Sequence, residues 1–405
     1  MNVDESDILI VGAGLSGIGA AAHLRMKHPG KSVTILEQRR DMGGTWDLFR
    51  YPGIRSDSDM STLGYRFKPW RHPKSIAPGE AIRDYINETA DEYDVRDSIR
   101  FGHKVLAANW CSSDARWKVT ARRDGAADGD GATDGNGAAY GDGGGEEIEF
   151  RANILLMCAG YYDYDAGYRP DFPGEDVFAG QIIHPQQWPE DLDYAGKKVA
   201  VIGSGATAIT IVPEMAQKAE KVTMLQRSPT WIVDQPAEDG FANWMRRVFP
   251  EKFAYAVTRF KNIRWQRIVY WRARKAPDKV GETLLGRISD ALPDYPEIER
   301  DFKPSYGPWE QRLCLSPDGD FFDAVRSGKA QIVTDHIDHF TKGGIALKSG
   351  KHIDADIIIT ATGLNLVLFG DAKLTIDGQP ADMPNRFYYK GAMFSDIPNM
   401  ISVFG

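Results

Sequence analysis

Gly12-Ala-Gly14-Leu-Ser-Gly17, near the start of the chain, and Gly203-Ser-Gly205-Ala-Thr-Ala208, at its middle, decide the fold. Each comes after a short apolar run, residues 7–11 and 198–202, and each opens a stretch of small and apolar residues. A short apolar run bounded by glycine reads as a buried strand, and the stretch behind it as a helix. In such a strand–turn–helix the first glycine makes the tight turn and the second admits the backbone to a pyrophosphate. The last small residue, Gly17 or Ala208, lets the helix pack closely. The helix N-terminus adds unpaired N–H groups and the positive end of a dipole. One such signal is weak, but two in a chain of 405 residues imply two bound dinucleotides. The fold expected is therefore α/β, with two dinucleotide-binding, Rossmann-like domains.

The strand end beyond each glycine signal distinguishes the two ligands. The strand at 32–36 ends at Glu37. An acid about 20 residues beyond the last glycine accepts hydrogen bonds from ribose hydroxyls and repels a 2′-phosphate. The first site therefore suits FAD or NAD, and Ser16 adds a hydroxyl donor. The strand at 221–225 runs instead into Gln226-Arg227-Ser228-Pro229. A guanidinium beside a hydroxyl is what a 2′-phosphate needs. The contrast of Glu37 with Arg227 and Ser228 places FAD first and NADPH second. In Gly43-Gly44-Thr45-Trp46 the glycines allow close backbone approach, and Trp46 can lie against a planar ring.

Between the two signals runs Phe178-Ala-Gly180-Gln-Ile-Ile-His184-Pro-Gln-Gln-Trp188-Pro189. Phe-x-Gly-x-x-x-His-x-x-x-Trp-Pro resembles the fingerprint of Baeyer–Villiger monooxygenases, and all its defined positions match. Gly43-Gly-Thr-Trp-Asp-Leu-Phe-Arg-Tyr-Pro-Gly-Ile-Arg-Ser-Asp57-Ser-Asp59 and Trp309-Glu-Gln-Arg312-Leu-Cys-Leu315 are similar to the ethionamide-activating subgroup. The resemblance implies an FAD- and NADPH-dependent enzyme that inserts oxygen beside ketone carbonyls and oxidises sulfides or thioamides through a C4a-peroxyflavin. It implies that Thr45, Trp46, Asp47 and Leu48 contact the flavin, that the Val105 backbone meets the adenine, and that Arg55 and Ser56 touch the nicotinamide nucleotide. Arg312 then stabilises the negative peroxide and Asp57 holds Arg312. His184 and Trp188 couple domain movement to cofactor binding. Gln311 stands where many relatives have a basic residue, which weakens the expected grip on the 2′-phosphate.

The same resemblance gives the domain boundaries. Residues 1–160 open the FAD-binding domain, and 161–230 open the NADP-binding domain with the linker 178–189. Residues 231–308 form a helical insert in the NADP-binding domain. Residues 309–358 complete that domain, and 359–405 return through Ala361-Thr-Gly363 to the discontinuous FAD domain. The stop at Gly405 is expected to be a truncation, so a non-catalytic remnant stays open beside an N- or S-oxygenating flavin monooxygenase. A disulfide reductase also holds two dinucleotides but needs a close cysteine pair. Cys111, Cys158 and Cys314 are far apart in sequence.

Composition sets outer limits. A net charge of -8 gives no overall nucleic-acid signature. No signal-peptide pattern and no apolar run of membrane-span length is present, so a cytoplasmic setting is expected. The Gly- and Asp-rich run 122–147 is expected to be disordered within a hairpin, between strands at 117–121 and 147–150. Residues 244–275 interleave basic and aromatic residues. Contact with an anionic membrane surface is one reading. The favoured one packs the aromatics over a substrate cavity. The remaining partners expected are a small ketone or sulfur compound and O2, with no nucleic acid and no metal.

Overall fold

The computed structural model of the chain describes residues 4–123, 145–311 and 313–403. The chain divides into two compact units, each discontinuous: Met1–Leu48, Glu80–Gly167 and Leu364–Gly405 form the first, and Phe49–Gly79 with Tyr168–Gly363 the second.

The first unit is built on a mixed sheet. Its centre is Asp4–Val11, flanked in parallel by Val33–Leu36 and Glu146–Met157. Arg116–Arg123 lies antiparallel on Glu146–Met157, and His103–Cys111 antiparallel on Arg116–Arg123. The hairpin corrects the sequence reading. Glu146–Met157 is one continuous strand that extends past the expected 147–150, and Arg122 pairs with Glu147 and Arg123 with Glu146. Opposite charges facing across an antiparallel pair stabilise it without apolar bulk. Order therefore reaches into a segment whose composition argued for disorder; residues 124–144 lie outside the described residues. Gly102, with a φ of 68°, separates the short strand Ile99–Arg100 from His103–Cys111.

The last part of the chain completes this unit. Leu364–Leu366 pairs antiparallel with Tyr162–Gly167, Lys373–Ile376 parallel with His103–Cys111, and Met400–Ser402 parallel with Glu146–Met157. Ile397 and Met400 join Trp117, Phe150 and Leu155 in one core cluster. The Trp117 indole, fully buried, donates to the Pro398 carbonyl at 3.0 Å, which leaves no unpaired polar atom on that ring.

The second unit holds a five-stranded parallel sheet in the order Ala330–Thr334, Lys221–Gln226, Lys198–Ile202, Ile357–Thr360, Gln181–Ile183. A parallel sheet is covered on both faces, so its strands are continuous apolar runs. Ala200, Val201, Ile358 and Ile359 are accordingly wholly buried. The region expected to be a helical insert contains Gly240–Val248, Glu251–Lys275, Pro277–Ala291 and Ile298–Phe302. Its first residues are not helical. Trp231–Gln235 is a strand paired in parallel with Leu313–Pro317, so a two-stranded ladder closes the neck of the insert.

Residues 49–79, read from sequence as part of the first domain, pack on the long helix Glu251–Lys275 within this second unit. The guanidinium of Arg259 donates to the carbonyls of Ser61, Thr62 and Gly64 at 2.7, 2.9 and 3.0 Å. These belong to the C-terminal end of the short helix Met60–Leu63, where carbonyls lack intrahelical partners. Asp59 is bound on both sides. It caps the same helix through the Thr62 N–H and accepts from Asn262 and Gln266 of the long helix at 2.8 and 2.7 Å. Arg259→Ala is expected to destabilise the protein by about 2–3 kcal/mol, since hydrogen bonds to a charged group contribute roughly 1.5–3 kcal/mol. Thermal melting checks this. Arg259→Lys recovers part of the loss, because an ammonium cannot reproduce the planar fork.

Candidate active site: two glycine cradles and a fingerprint strand

In the first unit the strand Asp4–Val11 ends at Gly12, whose φ of 100° only glycine adopts readily. A Cβ there would lie 2.5 Å from the Cys158 carbonyl oxygen, and one on Gly17 would lie 1.9 Å from the Gly12 carbonyl oxygen. Gly14 is different: a Cβ would meet only Gly44, with its Cα at 3.5 Å. Turn and helix packing thus require Gly12 and Gly17, whereas at Gly14 the chain itself leaves room for a Cβ. Gly14 is also the N-cap of the helix Leu15–Lys27, and no side chain caps that helix. A helix start is where backbone N–H groups lack intrahelical partners, as an anion site requires. Ser16 lies half-buried in that first turn.

Glu37 is 3% exposed, and its carboxylate accepts from the Ala13 N–H at 2.7 Å and the Arg39 N–H at 2.9 Å. Burial raises its pKa, against the pull of those two donors. The acid expected at the strand end therefore stands directly against the glycine turn. Thr45–Leu48 is a short helix. Trp46 is partly exposed, but the Asp47 carboxylate is turned inward and bound by Arg39 at 2.7 Å. Leu48 is buried, and Val105 is buried within His103–Cys111.

Tyr164, which the sequence reading passed over, reaches this cradle. Its phenol oxygen lies 3.4 Å from the point a Cβ on Gly44 would occupy. Burial first, then the Glu37 charge, pushes its pKa well up, while a hydrogen bond with the Thr45 side chain opposes them. The run Tyr161-Tyr162-Asp163-Tyr164 carried no spacing to say which ring turns inward. Cys158, at the end of the neighbouring strand, is buried and its thiol pushed up to about 12, so it is no redox nucleophile.

The second cradle repeats the design. Gly203 has a φ of 133°, and a Cβ on it would lie 2.3 Å from the Ala361 carbonyl oxygen. Gly205 is the uncapped N-cap of the helix Ala206–Ala216, with open space where its Cβ would be. Ala206 and Thr207 form the first turn and Ala208 is wholly buried beneath it. Ser204 donates to the Ser228 carbonyl at 2.9 Å, which ties the cradle to the end of Lys221–Gln226. Arg227 and Ser228 are exposed there, while Gln226 turns inward and donates to Thr334 and to the Asp301 carbonyl. Both cradles therefore fit a dinucleotide: glycine-only backbone, an uncapped helix start, and an acid at one strand end against a cation at the other.

The fingerprint residues have structural reasons of their own. Gln181–Ile183 is the edge strand of the second sheet. A Cβ on Gly180 would lie 2.1 Å from the Asp356 carbonyl oxygen, and Phe178 packs edge-on against Phe340 in the core. His184 Nδ1 accepts from the Gln186 N–H at 3.2 Å, so Nε2 carries the proton and donates to the Gly363 carbonyl at 3.1 Å. Burial lowers the His184 pKa, and a second ring proton would face the Gln186 N–H, so the ring is held neutral in one tautomer. Trp188 is buried.

Arg55 is paired with Asp320 and reaches the Leu315 carbonyl at 3.5 Å, all within the second unit. Ser56, expected at the nucleotide, is 1% exposed; its hydroxyl accepts from the Ala77 N–H at 3.0 Å and so faces the chain. Asp57 is half-buried beside them. Arg312 lies outside the described residues. Its neighbours are anchored: Trp309, at a φ of 65°, meets Tyr270 edge-on, and Glu310 pairs with Arg274.

Two glycine cradles on two α/β units define a protein that handles two dinucleotides. The chain belongs to the flavin-binding monooxygenase-like family, whose model matches residues 5–278. It is 51% identical over 400 residues to a probable FAD-binding monooxygenase, AlmA, of Acinetobacter baylyi, covering 98% of this chain and 76% of that protein. It is 50% identical to the FAD-containing monooxygenase EthA of Mycobacterium tuberculosis, over 98% of this chain and 78% of that one. Among solved structures, a steroid monooxygenase bound to NADP superposes with a TM-score of 0.78 at 24% identity, covering 98% of this chain and 80% of that chain. A cyclohexanone monooxygenase bound to ε-caprolactone does so with a TM-score of 0.77 at 21% identity, covering 100% and 83%. The resemblance read from the motifs holds, and the chain is a flavin-dependent monooxygenase with a two-dinucleotide fold. Among the described residues, no helix is long and apolar enough to cross a membrane.

Proposed function

We propose that the chain inserts oxygen beside ketone carbonyls, giving esters or lactones, and oxidises sulfides or thioamides. FAD takes the Gly12–Gly17 cradle of the first unit and NADPH the Gly203–Ala208 cradle of the second. The observation that carries this assignment is the contrast between the two strand ends, a buried Glu37 against an exposed Arg227. The first strand end accepts ribose hydroxyls and repels a phosphate, and the second welcomes one. The bound flavin, once reduced by the nicotinamide, supplies the oxygen-activating chemistry.

The chain's own residues do the rest. Gly14 and Gly205 admit the pyrophosphates, and the uncapped helix starts neutralise them. Arg312 stabilises negative charge developing on oxygen during transfer, in the manner of an oxyanion site. Asp57 orients Arg312. The His184 tautomer keeps the fingerprint strand joined to Gly363. Trp188-Pro189 at the end of the fingerprint favours ketone oxidation over purely N- or S-oxygenation.

The test is oxidation of a ketone and of a sulfide by the purified protein with FAD, NADPH and air. Ester and sulfoxide are both expected, and sulfoxide alone would move the chain to the N- or S-oxygenating class. Arg312→Ala is expected to lower ester formation by about 10²-fold, the usual cost of losing one charge-stabilising donor. A variant that keeps FAD and NADPH and still makes ester at the parent rate overturns the role given to Arg312.

A further inference from the structure

The helices Gly240–Val248 and Glu251–Lys275 carry ten Lys and Arg against one acid, Glu251, in a chain whose net charge is -8. The sequence reading favoured aromatics packed over a cavity, and the structure corrects it. Trp244, Phe253, Phe260, Trp265 and Trp271 are 52, 54, 62, 60 and 60% exposed. Scattered exposed apolar residues need no explanation, but contiguous ones do. Trp244 and Phe253 belong to a contiguous run: Phe241 meets Trp244, Trp244 meets Phe249, and Phe249 meets Phe253, with ring centres 6.1, 6.0 and 5.5 Å apart.

The pattern along the long helix is directional. Phe253, Phe260, Arg264, Arg267 and Trp271 succeed one another at spacings of seven, four, three and four, which is one face of an α-helix. The buried residues Tyr255, Thr258, Asn262 and Ala273 lie on the opposite face, against residues 49–79 and the rest of the unit. Cations stand among the rings. Lys261 lies 4.5 Å from the Phe241 ring centre and Arg264 lies 5.0 Å from that of Phe260. Arg247, Lys252, Arg267, Arg272 and Lys275 are exposed beside them.

We infer that this ridge docks the protein on an anionic lipid surface. Charge decides the occupant. A second copy would set a strongly basic face against itself across a two-fold axis, and like charges oppose that contact. An anionic bilayer offers phosphates to the cations and an interfacial zone that suits Trp, Tyr and Phe. Neither helix spans the membrane. The ridge lies along the surface, its rings entering the headgroup region while the Tyr255 face stays on the protein.

The experiment is flotation of the purified protein with phosphatidylcholine vesicles, with and without phosphatidylglycerol, at low and high salt. Binding to anionic vesicles alone, weakened by salt, is expected. Arg264→Glu with Arg267→Glu should reduce vesicle partitioning roughly tenfold or more. Trp244→Glu with Phe253→Glu should reduce it comparably, with unchanged circular dichroism and NADPH turnover. Absence of binding to either vesicle overturns the inference. Equal binding to neutral and anionic vesicles also overturns it, since charge would then play no part. So does a light-scattering mass that falls from dimer to monomer in the Trp244→Glu and Phe253→Glu variant without vesicle binding, because the ridge would then be an interface between copies.

Discussion

Gly17→Val is expected to purify colourless, while Gly14→Ala is expected to fold like the parent and bind flavin more weakly. The two glycines lie three residues apart and fail for different reasons. A Cβ on Gly17 would lie 1.9 Å from the Gly12 carbonyl oxygen, which is backbone held by the central strand. Nothing flexible can give way, so the helix must move off the turn and the cradle is lost. The valine adds two further methyls to the same clash, and overpacking of this kind costs about 1–3 kcal/mol or more. A Cβ on Gly14 meets ordinary van der Waals space, 3.5 Å from Gly44 Cα, so the chain tolerates it. The methyl then occupies the passage between two backbone segments that a pyrophosphate needs. A loss of about tenfold in FAD affinity, or 1.4 kcal/mol, is expected from fluorescence titration of the flavin-free protein. If Gly17→Val retains yellow colour at parent stoichiometry, the first cradle is not the flavin site.

Asp301→Ala is expected to cost about 2–3 kcal/mol, since hydrogen bonds to a charged group contribute roughly 1.5–3 kcal/mol. Asp301 is 2% exposed at the helix Ile298–Phe302. Its carboxylate accepts a two-pronged contact from Arg300 at 2.8 Å and hydroxyl donations from Tyr295 and Thr334, each at 2.6 Å. Its carbonyl accepts from the Gln226 side chain at 2.8 Å. Removal leaves the half-buried Tyr295 and Thr334 hydroxyls and the exposed Arg300 each short of a partner. The same contacts set the pH dependence. Burial alone would raise the Asp301 pKa, but the Arg300, Thr334 and Tyr295 hydrogen bonds outweigh it and lower it below 3.8. A lowered folded-state value means that the stabilisation is present above the unfolded-state value, about 3.9, and is lost as pH falls through the folded one. The parent protein should therefore lose stability below about pH 4 more steeply than Asp301→Ala does, as acid-dependent thermal melting will report. Because Gln226 and Thr334 end the two strands nearest Arg227, the variant should also weaken NADPH binding. Parent-like melting of Asp301→Ala at neutral pH would show that the cluster carries no net stability.

The nucleotide sites were legible because short-range geometry makes them so. A strand, a turn needing φ above zero and an uncapped helix start occupy a few consecutive residues, and Gly12 and Gly203 announce them. The buried parallel strands were legible for a related reason, since Lys198–Ile202 has no polar alternation to mistake. Glu37 and Arg227 lie at strand ends that this local reading also fixes. Sequence could not reach the contacts between residues far apart along the chain. Asn262 and Gln266 bind Asp59 from a helix about two hundred residues on. Ser56 was read as a nucleotide contact, yet its hydroxyl accepts from the Ala77 N–H. Arg122 and Arg123 belong to a strand only because Glu147 and Glu146 return opposite them.

The sequence by itself determined that two glycine turns would each follow a strand and open a helix, and that an acid would stand at one strand end and a cation at the other, because backbone sterics and side-chain charge act locally. Only the tertiary structure decided that residues 49–79 join the second unit, that Tyr164 enters the first cradle, and that the aromatics of the long helix face outward. Those outcomes depend on which buried surfaces meet, and the free energy of burial is set by neighbours that local order does not specify.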